Sequence, residues 1–329
     1  MPRLLVVLLL LVAVACDPAK GPPPTRLTPL TVGLGYLPSV QFAQFYYADQ
    51  QNYYRDAGLD VTFQNEIDPN LITLIGQGAV DIGLADGTSV IPAVGQGIPV
   101  RYAATVYARF PNVVMTPAGS GIETAADLAG HSIGIPGRYG SSWIMLQALL
   151  ASAGLTPEDV EIRAYPDFGQ AVALRLGQVD AATGFRNNEP VQLAGQGFAT
   201  NILTIDEITP LPGPGLTVGN QTLANKREAL RLFVVATLRA MEEIATDPDL
   251  GVTAAITAVP ELATDRPGQL AILRATIEAW ESPYTAEHGL GAIDTTAWAT
   301  SLDFMRGLPD SNIPVELSVD DLVTEDLLP

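Results

Sequence analysis

The chain has 329 residues, 47% of them apolar and 16% charged, with a formal net charge of −19 and a single cysteine. Such length and apolar content support a large core shared between about two domains and exclude disorder for the body. The acidity, offset by no basic run, excludes a nucleic-acid partner and peripheral attachment to anionic lipid.

At the N-terminus Arg3 precedes an unbroken apolar run, Leu4 to Ala15, and then Cys16. The run is shorter than the roughly 20 residues a spanning helix needs. It fits the apolar region of a signal peptide with small residues before the cut, over residues 1–15. The cysteine stands at that cut in Ala13-Val14-Ala15-Cys16, which resembles a bacterial lipobox whose thiol is acylated, as by palmitate. Alanine replaces the usual leucine three residues before it; the alternative is an ordinary secretory signal with an incidental cysteine. Prolines at 18, 22, 23, 24 and 29 make residues 16–29 an extended tether. The expectation is a body lipid-anchored at the extracytoplasmic face of the cell membrane.

The body carries a two-fold echo about one hundred residues apart. Thr31–Gly35 reads as a strand, followed by a loop and a helix through Phe42 and Phe45 that reaches Ala57-Gly58-Leu59. Ser132–Ile135 reads as a strand, followed by a loop and a helix ending at Ala153-Gly154-Leu155. In both, glycine stands where a helix stops. Strands follow at Asp60–Phe63 and Val160–Ala164. Gly76-Gln77-Gly78-Ala79-Val80-Asp81 is then answered by Gly177-Gln178-Val179-Asp180, and Gly95–Gly97 by Gly195–Gly197, before strands at Val100–Tyr107 and Thr200–Ile205. Strands alternating with helices predict an α/β fold of parallel sheets flanked by helices. Duplicated halves predict two lobes.

Ligands of open parallel sheets sit beyond the carboxyl ends of the strands. That rule selects the loops Gly35–Val40, Asp86–Ser89, Gly137–Ser142 and Phe185–Glu189, two from each half, and so a cleft between the lobes. After Pro210 the chain reads as helical, at Ala224–Thr246, Gln269–Trp280 and Thr295–Met305. Lobe 1 is expected over residues 30–112 plus 209–329, and lobe 2 over 113–208. The hinge connections fall near Phe110–Val114 and Glu207–Gly215, the second stiffened by Pro210, Pro212 and Pro214.

The run Val32-Gly33-Leu34-Gly35-Tyr36-Leu37-Pro38-Ser39-Val40-Gln41-Phe42, with Tyr53-Tyr54-Arg55-Asp56-Ala57-Gly58-Leu59 and Asn187-Asn188-Glu189, resembles a known family. It is similar to the ABC-importer solute-binding proteins related to thiamine-pyrimidine synthase, which include nitrate, sulfonate and taurine binders. The resemblance implies a two-lobed periplasmic-binding-protein fold of type II and delivery of a captured ligand to a membrane permease and its ATPase. Within the family the likeness is greatest to riboflavin-binding lipoproteins. It implies riboflavin as transported ligand and no cofactor, with a thiamine-precursor pyrimidine, a sulfonate or nitrate as alternatives. An enzyme of the pyrimidine-synthase kind is the remaining reading. Against it, the chain has two histidines, His131 and His288, neither grouped with carboxylates, and no nucleophile elbow, phosphate loop or metal motif.

The cleft loops are rich in aromatic and amide groups. Candidate ligand-binding residues are Tyr36, Phe42, Asp86, Thr88, Tyr107, Tyr139, Trp143, Phe185, Asn188 and Glu189, with lipid attachment at Cys16 and no metal site. Aromatic faces hold planar heterocycles by stacking. In the pyrimidine-binding relatives the position of Glu189 resembles an acceptor for a ring amine, and a carboxamide at Asn188 complements an imide edge. Glu189 and Asn188 equally suit a helix first turn and its N-cap, and Asp86 suits either ligand hydroxyls or a cap. Arg138 and Arg186, in the same loops, leave an anion open.

Overall fold

Short runs of β-branched and apolar residues punctuated by glycine build ten strands in the described residues, which are 27–65, 70–206, 208–308 and 311–329 of a computed structural model. The signal segment, Cys16 and most of the tether lie outside them. The strands are β1 (Thr28–Gly33), β2 (Leu59–Gln64), β3 (Ile82–Asp86), β4 (Val100–Thr105) and β5 (Asn112–Pro117), then β6 (Ser132–Ile135), β7 (Glu161–Ala164), β8 (Ala181–Phe185), β9 (Thr200–Leu203) and β10 (Pro214–Gly219). They form two five-stranded sheets, ordered β2-β1-β3-β10-β4 and β7-β6-β8-β5-β9. β1 starts at Thr28, three residues before the expected Thr31, and pairs with β2 from Thr28↔Leu59 onward. Proline at the second strand position is tolerated because β3 joins β1 only from Val32.

The expected parallel pattern holds for β1, β2 and β3 and for β6, β7 and β8. The strand that follows each crossover departs from it. β10 is antiparallel to β3 and β4, and β5 is antiparallel to β8 and β9. The reason is geometric: a chain arriving from the other lobe enters at the cleft and must run away from it, whereas the neighbouring strands run toward it. β5 and β10 begin inside the stretches read from sequence as hinge, overlapping them at 112–114 and 214–215. The wholly buried Pro-Gly-Leu-Thr-Val-Gly of β10 carries too much proline and glycine to signal a strand.

The crossovers, residues 106–111 and 204–213, are fastened together. Val106 and Tyr107 N–H groups donate to the Pro214 carbonyl at 3.1 and 2.8 Å, and Gly87 N–H donates to Gly213 at 3.0 Å. A Cβ on Gly213 would meet the Tyr107 carbonyl oxygen at 2.6 Å, so only glycine permits this approach. An apolar cluster runs through Phe110, Ile205 and Leu211, joining Ile75 and Tyr102 of the first lobe to Ile133 and Leu149 of the second. The first lobe has a separate core in which the Tyr54 ring stacks on Phe233 of the helix Asn220–Thr246 at 4.9 Å and the Tyr54 hydroxyl meets Thr237 at 2.9 Å. That core secures the C-terminal helices to the first sheet.

The structure explains the Gly-x-Val-Asp echo. Gly78 and Gly177 both take positive φ, 74° and 68°, and Val80 and Val179 both turn into the core. Asp81 then accepts from the Thr31 N–H at 2.9 Å, and Asp180 from the Ser132 N–H at 2.9 Å. In each lobe a carboxylate thus clips the first parallel strand beside the third, and Asp81 also holds Lys226 at 2.9 Å. Stranding such an N–H without its acceptor costs about 1–3 kcal/mol. Asp81→Ala is therefore expected to lower unfolding free energy by about that amount in urea titration, and Asp81→Asn, which keeps an acceptor, by clearly less; equal losses would refute the clip.

Candidate ligand-binding cleft

The ends of β1, β3, β6 and β8 converge on one gap, and the loops beyond them enclose a cavity of about 270 Å³ between the sheets. This approaches the lower end of small-molecule pockets, about 300 Å³. Leu34, Gly35 and Tyr36 enter from β1 with Phe42 from the turn Val40–Phe42. Asp86 enters from the last position of β3, Ser89 after it, and Tyr107 after β4. The second lobe supplies Tyr139 to Ser142 after β6, Phe168 and Gln170 after β7, Phe185 from the last position of β8, and Asn188 and Glu189 after it.

Of the candidates read from sequence, Tyr36, Phe42, Asp86, Tyr107, Tyr139, Phe185, Asn188 and Glu189 line this one cavity. Thr88 and Trp143 do not. Thr88 belongs to the helix Gly87–Gly95, which turns it inward to full burial and leaves Ser89 facing the gap. Trp143 stands a turn into the helix Gly140–Ser152, and its ring packs on the apolar cluster under the Arg138 guanidinium, 5.3 Å from the ring centroid. Both misplacements reflect helix phase, which loop boundaries alone do not reveal.

The lobes meet across the gap. Tyr36 and Phe168 pack edge to face at 5.2 Å. The Ser141 hydroxyl donates to Asp86 Oδ2 at 2.7 Å. Asn187, fully buried, donates through Nδ2 to Gln41 and to Thr276 of the helix Arg266–Trp280, each at 2.9 Å. Asp86 occupies an N-cap position, yet its carboxylate makes no cap hydrogen bond and crosses to the other lobe instead. Asn188 also sits at an N-cap without capping; its Oδ1 accepts from Gln192 at 2.7 Å. Glu189 Oε2 accepts from the Phe185 N–H at 2.8 Å, bracing the turn after β8.

The polar lining mixes hydroxyls and amides with two carboxylates, Asp86 and Glu189. Asp86 Oδ1 and Gln170 Oε1 are buried with no hydrogen-bond partner. The Gln170 amide is oriented by its Nε2 donating to the Thr183 carbonyl at 3.1 Å. Burial pushes the Asp86 carboxyl up to about 6, only partly offset by Ser141, and pushes the Glu189 carboxyl up against the Phe185 amide. Burial and the nearby Glu189 charge push the Tyr36 hydroxyl up to about 12. No Lys, Arg or His is among the described residues lining the cavity. Arg186 is engaged instead with Asp206 at 2.6 Å.

Gln41, Phe168 and Gln170 are lining residues absent from the sequence-based set. The strand-end rule applied to β7 points to Phe168 and Gln170. What it does not reveal is the positive φ of Phe168, 60°, at which the ring meets Tyr36.

Residues 39–250 match the family described as NMT1/THI5 like. The riboflavin-binding protein RibY of Chloroflexus aurantiacus is 33% identical over 305 residues, covering 91% of this chain and 86% of its own. The 4-amino-5-hydroxymethyl-2-methylpyrimidine phosphate synthase THI13 of Saccharomyces cerevisiae is 29% identical over 67% of this chain and 68% of its own. The formylaminopyrimidine-binding protein of Halalkalibacterium halodurans is 24% identical over 91% and 93%. Among solved structures, a protein from Bordetella bronchiseptica RB50 superposes with a TM-score of 0.74 at 20% identity over 92% of this chain and 96% of its own. The alkanesulfonate-binding protein SsuA of Xanthomonas axonopodis pv. citri, bound to MOPS, gives 0.66 at 18% identity over 90% and 98%. The chain therefore belongs to the NMT1/THI5-like family and has the two-lobed periplasmic-binding-protein fold.

Proposed function

We propose that this protein is the extracytoplasmic solute-binding component of an ABC importer, and that its ligand is riboflavin, captured between the lobes and passed to the membrane permease. The observation that carries the reading is a cavity with aromatic walls from both lobes, Tyr36, Phe42, Tyr139, Phe168 and Phe185, whose polar groups include the unpartnered acceptors Asp86 Oδ1 and Gln170 Oε1 and the Glu189 carboxylate. A flat ring system matches the walls. Ribityl hydroxyls and the imide N–H are donors for Asp86, Gln170 and the Asn188–Glu189 corner. The relationship to RibY over most of both chains supports this choice. A thiamine-precursor pyrimidine is the second reading, favoured by the likeness to the formylaminopyrimidine-binding protein and by an amine donor's fit to Glu189. Binding is preferred to catalysis because the described residues of the lining include neither histidine nor cysteine as a proton shuttle or nucleophile. His131 instead pairs with Asp180 at 3.5 Å, and His288 stacks on Tyr284. The lipid anchor at Cys16 belongs to the same proposal.

Titration of ligand-free protein with riboflavin is expected to quench flavin fluorescence at sub-micromolar protein. Loss of a stacking ring removes roughly 1–3 kcal/mol, so Tyr36→Ala is expected to weaken binding about 10- to 100-fold with unchanged circular dichroism, and Glu189→Gln to weaken it as well. Absence of quenching at micromolar protein overturns the riboflavin assignment.

A donor ligand needs Asp86 ionised, whereas the ligand-free cavity holds it protonated below about 6. Binding in that range releases a proton, so affinity should fall as pH drops from 6.5 to 5 and be flat above 7. In Asp86→Asn the Asp86 part of this slope should vanish, leaving any due to Glu189, as isothermal titration across pH would show.

Cys16→Ser is expected to move the protein from the membrane fraction to the soluble extracytoplasmic fraction and to abolish incorporation of labelled palmitate. Retention of the label would refute attachment at Cys16.

A further inference from the structure

A helix N-terminus presents unpaired N–H groups and a positive partial charge, and readily holds an anion. The 13-residue helix Gly140–Ser152 directs its first turn, Gly140 to Ser142, at the cavity. The first turn is already met by a negative group of the protein itself. Asp86 reaches from the first lobe to accept from the Ser141 hydroxyl at 2.7 Å, while its other oxygen is buried and unpartnered. Glu189 adds a second carboxylate to the lining. The nearby cations are turned elsewhere: Arg138 lies over the Trp143 ring, and Arg109 and Arg186 face a separate cavity of about 130 Å³.

We infer that Asp86 is a specificity determinant that bars anionic ligands, its carboxylate standing where a ligand's phosphate, sulfonate or nitrate would otherwise be held. The cleft then admits uncharged, donor-bearing molecules. A phosphate ester of such a molecule must lose its phosphate to a hydrolase before capture, the P–O bond being cleaved by water to give inorganic phosphate and the free hydroxyl. The inference rests on the cleft being the ligand site, but not on the ligand being a flavin.

The test is calorimetric titration of the full chain with riboflavin, riboflavin 5′-phosphate, ethanesulfonate and nitrate. Wild type is expected to prefer riboflavin over its phosphate by about 100-fold, since like charges a few ångströms apart in a partly dry site repel strongly. It is expected to show no heat with ethanesulfonate or nitrate. Asp86→Asn should narrow the flavin ratio about tenfold, and Asp86→Asn with Glu189→Gln should narrow it further. Ser141→Ala, titrated at about pH 8.5 so that Asp86 stays ionised without its hydroxyl donor, should retain the full ratio and also controls for damage to the lobe contact. Binding of riboflavin 5′-phosphate to wild type within threefold of riboflavin would overturn the inference, as would Ser141→Ala relaxing the ratio as much as Asp86→Asn. If no flavin binds but Asp86→Asn gains binding of ethanesulfonate that wild type lacks, anion exclusion stands and the riboflavin assignment falls. If wild type binds ethanesulfonate, anion exclusion falls whatever the flavins do.

Discussion

Strand polarity is the constraint on which the rest of this molecule depends. Once β1, β3, β6 and β8 all end at the same gap, every loop beyond them is delivered there, however far apart in sequence. The antiparallel β5 and β10 are the counterpart of that convergence, because they carry the chain out of the gap and into each lobe. The paired carboxylates Asp81 and Asp180 fix the first parallel strand of each lobe against its neighbour. They therefore help position Tyr36 and the turn after Ile135, although neither lines the cleft.

A cavity built this way receives its chemistry in halves. The first lobe contributes Asp86 and Tyr36, and the second contributes Phe168, Asn188 and Glu189. A guest that touches both sets stabilises the closed arrangement by its differential contacts, which is the physical content of a closing clamp. Asp86 Oδ1 and Gln170 Oε1 are acceptors that find no donor within the protein. A donor-bearing ligand supplies what they lack.

Much of this was legible in the sequence because the echo is local. Gly78 and Gly177 each need positive φ, and each is followed by a core valine and a clipping aspartate, so the repeat is visible as letters. Strand-end loops followed from it, and with them Tyr36, Asp86, Phe185 and Glu189. What was not legible is non-local or rotational. β10 pairs with β3 and β4 despite its proline and glycines, because two neighbouring strands supply the ladder that its own propensity does not. Thr88 and Trp143 missed the cavity by a fraction of a helical turn. The reach of Asp86 to Ser141 spans 55 residues and two lobes, and no local pattern announces it.

The two sides of the cleft are made of different material. Along the crossovers the contact is hydrocarbon, through Phe110, Ile205 and Leu211, and resists separation in water. Within the gap the contacts between lobes include a hydroxyl on a carboxylate and the Asn187 amide shared between Gln41 and Thr276. Such groups exchange their partners for water at small net loss when the gap floods. The spine is thus held by hydrocarbon and the lips by polar groups and the ring contact of Tyr36 on Phe168, so parting the lobes at the gap costs less than parting them at the crossovers.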